Sequence, residues 1–157
     1  MSYSNELLYG LAADLATAGV GVWKPDTAYA ETDRGIVVDD LPESPFEVVA
    51  VSLYADSTEP TYRRDVETVV SYVQVRIRLA DPDEARSVQD TLRDRYHRCR
   101  RTLGGHIVTG RQESRAPLGP DQNNRFLYTQ NFAFRGLRER STEAPIGTPG
   151  APDDANT

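Results

Sequence analysis

The segment at residues 68–79 constrains the fold more than any other, because its side chains alternate between two characters. One set is mainly aliphatic and comprises Ser71, Val73, Val75, Ile77 and Leu79. The other set is polar and comprises Tyr72, Gln74, Arg76 and Arg78. A period of two residues is that of a β-strand whose two faces meet different surroundings. We therefore predict a strand of an antiparallel sheet, with the aliphatic face on a core and the polar face exposed or covered by a neighbouring subunit.

Two helices are expected to cover the core side of this sheet. Leucine and alanine residues at helical spacing predict a first helix with Ser4 as its cap and Gly19 at its end. The sequence ADPDEARSVQ predicts a second helix, with Asp81 as its cap, Pro82 at its first position and its end at residues 104–105. Further strands are predicted at residues 20–23, 36–38, 46–54, 106–111 and 125–134.

Strands and helices are partly segregated along the chain. The predicted fold class is therefore α+β, an antiparallel sheet of about four to five strands with two helices packed on one face. A chain of 157 residues suits one domain, which we place at residues 1–137. Residues 138–157 hold proline, glycine and charged residues but few apolar ones, so they are predicted to form a disordered tail or a binding arm.

The charge distribution indicates protein partners and self-association. The formal net charge of -6 argues against a dedicated nucleic-acid-binding protein, which needs a cationic face for phosphates. Acidic residues concentrate at 31–67 and arginines at 93–101. Those arginines either contact DNA phosphates or form salt bridges, and the spacing of Asp90 and Asp94 on the same helix favours salt bridges.

The sequence offers little for catalysis. No candidate group has a recognisable base, acid or ligand partner at suitable spacing; these groups are His97, His106, Ser114 and Cys99. The acidic pairs at 39–40 and 153–154 are expected to be solvated rather than to bind a cation. We therefore predict a protein that is not an enzyme and needs no cofactor or metal. A single cysteine excludes an intrachain disulfide. Without a basic leader or an apolar segment of about 20 residues, we expect a soluble, intracellular protein.

Two loop segments are the candidates for binding a partner. Tyr62, Arg63 and Arg64 place an aromatic ring beside two guanidinium groups, a composition enriched at interfaces, although an ordinary hairpin tip would also explain it. The segment at 114–124, SRAPLGPDQNN, has restricted backbone freedom at its prolines and turn-forming residues after them. Such a loop loses little entropy on docking. The alternative is a hairpin connection that serves stability alone.

Four stretches carry a resemblance to a known family. They are SYSNELLYGLAADLATAGVGVWKPDTAY, GIVVDDLPESPFEVVAVSLY, VSYVQVRIRL and RQESRAPLGPDQNNRFLYTQNFAF. In this order and spacing, over residues 3–137, they resemble the tail terminator, often labelled minor capsid protein, of long-tailed bacteriophages that infect actinobacteria. Lys24 is the only lysine, and this arginine preference also fits a host with a GC-rich genome.

The resemblance implies a structural role in the virion. Tail terminators of this kind form rings, usually hexamers, that cap the tail tube, stop its polymerisation and present a surface to the head-completion protein. The implied partners are further copies of the chain, the tail tube protein and the head-completion or connector protein, with genome DNA only passing through the lumen and no membrane. The implied place is the head–tail junction of a virion assembled in the host cytoplasm. Another head–tail connector, such as a head-completion or stopper protein, is the alternative.

On this interpretation, two groups of residues are expected to make contacts. The subunit interface is expected on the polar face of the main strand, at Tyr72, Gln74, Arg76 and Arg78. Contacts with the axial partners are expected at Tyr62, Arg63, Arg64, Pro117, Leu118, Asp121 and Asn124.

Overall fold

The computed structural model describes residues 1–61 and 63–139. These residues form two α-helices, which are α1 (Tyr3–Thr17) and α2 (Pro82–Tyr96). They also form strands β1 (Val22–Trp23), β2 (Arg34–Val38), β3 (Glu47–Glu59), β4 (Val66–Leu79), β5 (Arg100–Leu103), β6 (His106–Pro120) and β7 (Phe126–Glu139).

The strands make one mixed sheet in the order β1-β2-β3-β4-β7-β6-β5. The pairs β1/β2 and β2/β3 are parallel, and the other neighbours are antiparallel. The seven strands curl into a half-barrel. The prediction of an antiparallel sheet of about four to five strands was therefore wrong. The alternation within β4 reports that its two faces differ, but it carries no information about the direction of strands further along the sheet.

One strand was missed because the second helix is shorter than predicted. Helix α2 ends at Tyr96, since His97 is already extended with φ -72 and ψ 119. Arg98 then takes a positive φ of 58, and its N–H donates to the carbonyl of Gly110 on β6. Pairing with β6 thus turns residues 100–103 into β5, against a local sequence that continues the helical pattern.

Strand β6 also runs further than predicted and takes in most of the segment that the sequence indicated as a loop. Pro117 and Pro120 lie in the part of β6 that pairs with β7 alone among the described strands, and an edge strand of this kind can tolerate proline. The pairing with β7 shifts register between Gln112 and Ser114 and again between Pro117 and Gly119. Two irregular positions of this kind let an edge strand carry prolines and still follow its neighbour.

The core lies between the helices and one face of the sheet, and both helices contribute to a single cluster of buried residues. The predicted core face of β4 is confirmed, since the side chains at its aliphatic positions are almost fully buried: Ser71, Val73, Val75, Ile77 and Leu79. Tyr96 of α2 makes edge contacts with Phe132 and Phe134 of β7, at 5.9 and 5.7 Å between ring centroids. Asp81 caps α2 and Pro82 is its first residue, as the sequence predicts. Helix α1 is capped by Ser2 rather than by Ser4.

A polar contact and a close backbone approach fix α1 in place. Asp14 accepts hydrogen bonds from Arg95 at 2.7 and 2.8 Å and from the Tyr96 hydroxyl at 2.6 Å. Burial raises the pKa of Asp14, but these hydrogen bonds outweigh burial and hold the pKa below its usual range. At Gly10, a side chain would meet the backbone N of Gly104 at 2.0 Å, so only glycine permits this packing.

The last described strand ends at Glu139, and Arg138 within it pairs with Glu67 of β4 through its Nε at 2.9 Å. The tail predicted at 138–157 therefore lies, from residue 140 onward, outside the described residues. Within the described ranges, neither helix has the length and apolar character required to cross a bilayer.

Candidate functional site

The side of the sheet that points away from the helices brings the predicted interface residues together. We call this side the outer face. Its β4 members are Tyr72, Gln74, Arg76 and Arg78. On the adjoining strand β7, the residues in register with them are Ala133, Asn131, Thr129 and Leu127. The alternation of β4 therefore places all four predicted residues on one surface, as the period of two requires.

Arg78 differs from the other three because it is only 3% exposed. Its guanidinium donates to three backbone carbonyls of the β2–β3 connection: Pro45 at 2.9 Å, Glu43 at 3.2 Å and Phe46 at 3.3 Å. Burial, together with the nearby charge of Arg125, lowers the pKa of Arg78. The side chain thus holds the connection over the outer face of the same chain.

Arg125, which the sequence indicated only as the start of a strand, completes this cluster. It donates to the Glu43 carbonyl at 3.1 Å, and it pairs with the carboxylates of Glu43 at 3.1 Å and Asp121 at 2.8 Å. Its guanidinium carbon also lies 5.1 Å from the centre of the Phe46 ring. The spacing of Asp121 and Arg125 across a predicted turn was the available signal for this pair.

Arg76 is held less completely than Arg78. One terminal nitrogen donates to the Asp39 carbonyl at 2.5 Å. Its Nε and the Oδ1 of Asn131 are buried without a hydrogen-bond partner among the described residues. Buried polar atoms normally have partners, so these two are exceptions on the outer face.

A shallow groove crosses the outer face next to Tyr72. Its volume is about 250 Å³, and it is lined by Glu59, Val70, Tyr72, Thr109, Arg111, Ala133 and Arg135. The Tyr72 ring lies 6.1 Å from the ring of Tyr54, centre to centre. Tyr54 stands at a register shift of β3 and is 55% exposed. The two tyrosines give one side of the groove the aromatic character that is common at protein interfaces.

The loop that carries Arg63 and Arg64 joins β3 to β4 at one end of the sheet. Arg63 pairs with Asp65 at 2.6 Å, and both side chains are about two-thirds exposed. The hydrogen bond from Arg63 holds the pKa of Asp65 below its usual range. Arg64 is exposed, and Tyr62 lies outside the described residues.

The turn between β6 and β7 carries Asp121 and Asn124, and the end of β6 before it carries Pro117 and Leu118, the other predicted axial residues. Asp121 closes this turn, because its carboxylate accepts the N–H groups of Asn123 at 2.8 Å and Arg125 at 2.9 Å. The N–H of Arg125 is the main cause of the lowered pKa of Asp121. Asn124 is exposed at a positive φ of 61, and Leu118 on β6 is 56% exposed.

These two loops stand at opposite ends of β4. Val66, next to the first loop, pairs with Glu139, whereas Leu79 pairs with Phe126, next to the β6–β7 turn. Strand β4 has 14 residues. At about 3.3 Å per residue, its ends are about 40 Å apart.

The sheet also has two long unpaired edges. Within the described residues, no strand other than β4 pairs with β3 beyond Val51, and no strand other than β7 pairs with β6 beyond Gly110. These edges present the backbone groups of residues 52–59 and 111–120. Unpaired edges of this length are templates for strand addition from another chain.

The groups considered for catalysis are used in local contacts. The Nδ1 of His97 accepts the N–H of Gln112 at 2.9 Å. His106 lies 3.0 Å from a carboxylate oxygen of Glu6 and stacks at 4.5 Å on Tyr3. In the part of the chain that the structure describes, no group of three or more His, Cys, Asp and Glu residues is arranged to hold a metal ion.

Comparisons with known proteins give one family. Residues 15–138 match the family model described as bacteriophage tail terminator protein. None of the curated protein sequences matches the chain. Among solved structures, one similar chain comes from the structure titled "Virion of native gene transfer agent (GTA) particle". The two chains are 13% identical with a TM-score of 0.47, and the match covers 65% of this chain and 78% of the other.

Proposed function

The chain belongs to the bacteriophage tail terminator family, and on that premise we propose that it forms a ring that caps the tail tube, stops its polymerisation and joins the tail to the head. The family is one of structural phage proteins, and the place of its members is the tail of the virion. Beyond the family, we propose that the chain forms a ring, that the ring is a hexamer, and that it binds the tail tube protein and the head-completion or connector protein.

The observation that carries this proposal is the separation of the two exposed loops by the length of β4. A ring that caps the tail tube and also joins the tail to the head needs one surface for the tube and another for the head. The β3–β4 loop and the β6–β7 turn lie at opposite ends of the sheet and differ in composition. One has exposed arginines, and the other has a tight turn closed by Asp121. Long strands that run between the two partners would serve both contacts.

We propose that lateral contacts between subunits use the outer face or the sheet edges. Tyr72, Gln74 and Arg76 are the outer-face residues with side chains available to a neighbour. The partial exposure of these three side chains supports this assignment. Arg78, with its three intrachain acceptors, would support the interface indirectly by fixing the β2–β3 connection.

The axial contacts in this proposal are those expected from the sequence. At one end they are Tyr62, Arg63 and Arg64. At the other end they are Pro117, Leu118, Asp121 and Asn124. Asp121 would act by shaping the turn, because its carboxylate is occupied within the chain.

The experiment compares variants at the two ends in phage that depend on a supplied copy of the protein. One variant carries Tyr62→Ala, Arg63→Ala and Arg64→Ala, and the other carries Leu118→Ala and Asn124→Ala. We expect overlong tubes from the variant at the tube end and tails of normal length without heads from the variant at the head end, both read by electron microscopy. The phenotypes would also assign each end to its partner.

The control is Thr91→Ala, an exposed position on α2. It should leave tail length and infectious yield unchanged. If both end variants also give normal tails and normal yield, neither loop is an axial contact. If removal of the whole protein leaves tail length normal and affects only the heads, the chain is a head-completion or stopper protein instead.

An actinobacterial host is part of the same proposal. Its support is the use of one lysine among 18 basic residues, since arginine codons are rich in G and C. Plaque formation on actinobacterial strains by the phage that encodes the chain tests this part independently of the ring.

A further inference from the structure

One lateral edge of the sheet is basic. Strand β5 closes this edge, and Arg98, Arg100 and Arg101 lie on it or directly before it. Arg98 and Arg100 are exposed. None of the three forms an ion pair within 4 Å among the described residues. The edge therefore has positive charge that the described chain does not neutralise by pairing.

The carboxylates that the sequence placed near this cluster are engaged elsewhere. Asp90 pairs with Arg115 at 2.8 Å, and Asp94 lies 4.0 Å from Arg93. These partners belong to α2 and β6 and leave the β5 edge unpaired. A cluster of guanidinium groups without ion-pair partners is electrostatically complementary to an acidic surface of another molecule.

The lateral edge at the other end of the strand order is acidic. The strands there are β1 and β2, and the exposed carboxylates on their connections, apart from Glu43, which pairs with Arg125, are Asp26, Glu31, Asp39 and Asp40. None of these four forms an ion pair within 4 Å among the described residues. The two basic side chains on β1, β2 and their connection are already paired, Lys24 with Asp33 and Arg34 with Glu47. Arg76 of β4 reaches this region, where it donates to the Asp39 carbonyl but pairs with none of the four carboxylates.

The register of the strands gives the positions of the two edges relative to β4. The N–H of Arg98 donates to Gly110, which is in register through Phe134 with Ser71 of β4. On the other side, the N–H of Asp39 donates to Val51, which is in register with Val75. The difference is four residues of β4, or about 13 Å along the strand.

We propose that the basic β5 edge of one copy contacts the acidic Asp39–Asp40 edge of the next copy. This inference rests on the proposed ring and specifies which surfaces meet in it. The contact is heterologous, because each copy offers a different edge to each neighbour, and repeated heterologous contacts form a ring when the rotation from one copy to the next closes. A two-fold pairing of identical edges would place like charges against each other, which is unfavourable.

The experiment uses two variants of the full chain with matched chemistry. The first carries Arg98→Asn and Arg100→Glu, and the second carries Asp39→Asn and Asp40→Arg. Asparagine is used at positions 98 and 39 because both have positive φ, at 58 and 75, which asparagine tolerates. Combining the four substitutions in one chain restores the net charge of the wild type and serves as the control.

Each single-edge variant should assemble poorly, with the concentration for half-assembly raised at least about tenfold in native mass spectrometry at low salt. The four-substitution chain and an equimolar mixture of the two variants should both regain assembly, since each pairs opposite charges again. In the mixture, copies must alternate, so only rings with an even number of subunits should form. Circular dichroism melting curves check that each variant is folded.

Wild-type rings that persist unchanged in both single-edge variants overturn the edge contact and leave the proposed ring intact. A wild type that stays monomeric up to millimolar concentration overturns the contact together with the ring in solution. If ring mass is unchanged while duplex DNA binds the wild type and not the Arg98→Asn, Arg100→Glu variant, the basic edge serves DNA rather than a neighbouring copy.

Discussion

Replacing Arg78 should unfold part of the outer face rather than merely weaken assembly. Its guanidinium donates to the carbonyls of Glu43, Pro45 and Phe46, and the bond to Pro45 is fully buried. In Arg78→Ala, the Pro45 and Phe46 carbonyls lose this donor. The Glu43 carbonyl keeps its hydrogen bond from Arg125. Residues 43–46 of the β2–β3 connection would therefore lose their hydrogen bonds to β4, and only the bond from Arg76 to the Asp39 carbonyl would remain.

The expected cost follows from these bonds. A hydrogen bond to a charged group contributes about 1.5–3 kcal/mol, and the buried bond to Pro45 belongs at the upper end of that range. The two partly buried bonds contribute about 1 kcal/mol together once Arg125 takes over Glu43. We expect Arg78→Ala to lower the free energy of unfolding by about 3–4 kcal/mol, which corresponds to roughly 10 °C in melting temperature.

The matched control is Arg76→Ala on the same face of the same strand. Arg76 makes one side-chain hydrogen bond, to the exposed Asp39 carbonyl, and its Nε has no partner among the described residues. We expect a loss below about 1 kcal/mol in stability. Urea titrations followed by circular dichroism measure both values. Ring mass then separates the roles, because Arg76→Ala should affect assembly more than folding.

A loss below about 1 kcal/mol in Arg78→Ala would refute this reasoning. That result would mean that the β2–β3 connection is held by other contacts and that the guanidinium of Arg78 is available to a neighbouring subunit. Arg78→Lys gives a second measure. A lysine retains the charge but lacks the fork of donors, so it should recover only part of the stability.

Three further outcomes are expected. Asp14→Asn should cost about 2 kcal/mol at neutral pH. Because the folded pKa of Asp14 is lowered, its contribution is present above the unfolded pKa of about 4 and is lost as pH falls through the folded pKa, so the urea midpoints of wild type and variant should converge as pH falls below about 4. Gly10→Ala should cost about 3 kcal/mol or more, since its Cβ would meet the Gly104 backbone, whereas Gly19→Ala at an open positive φ should cost about 1 kcal/mol in the same titration. A chain shortened to residues 1–139 should keep its melting temperature within about 2 °C, and a larger loss would show that the removed residues contribute to the fold.

Local patterns allowed the sequence to predict the two helices and the two faces of β4. Helical spacing and caps such as Asp81 act within a few residues, and so does the alternation from Ser71 to Leu79. The same local rules grouped Tyr72, Gln74 and Arg76 on one face, because residues two apart on a strand share a side. The family resemblance likewise followed from the order of stretches along the chain and agrees with the matched family.

Tertiary contacts decided the rest, because they join residues that are distant in sequence. Pairing with β6 converted residues 100–103 from predicted helix to strand, and pairing with β7 extended β6 through Pro117 and Pro120. The parallel direction of β1, β2 and β3 depends on how the chain connects them, which the hydrophobic periodicity of a strand does not predict. Arg78 illustrates the limit for the candidate site. Its place on the polar face was predictable, but the carbonyls that occupy it lie more than 30 residues away along the chain, and only the folded sheet brings them within 3.3 Å.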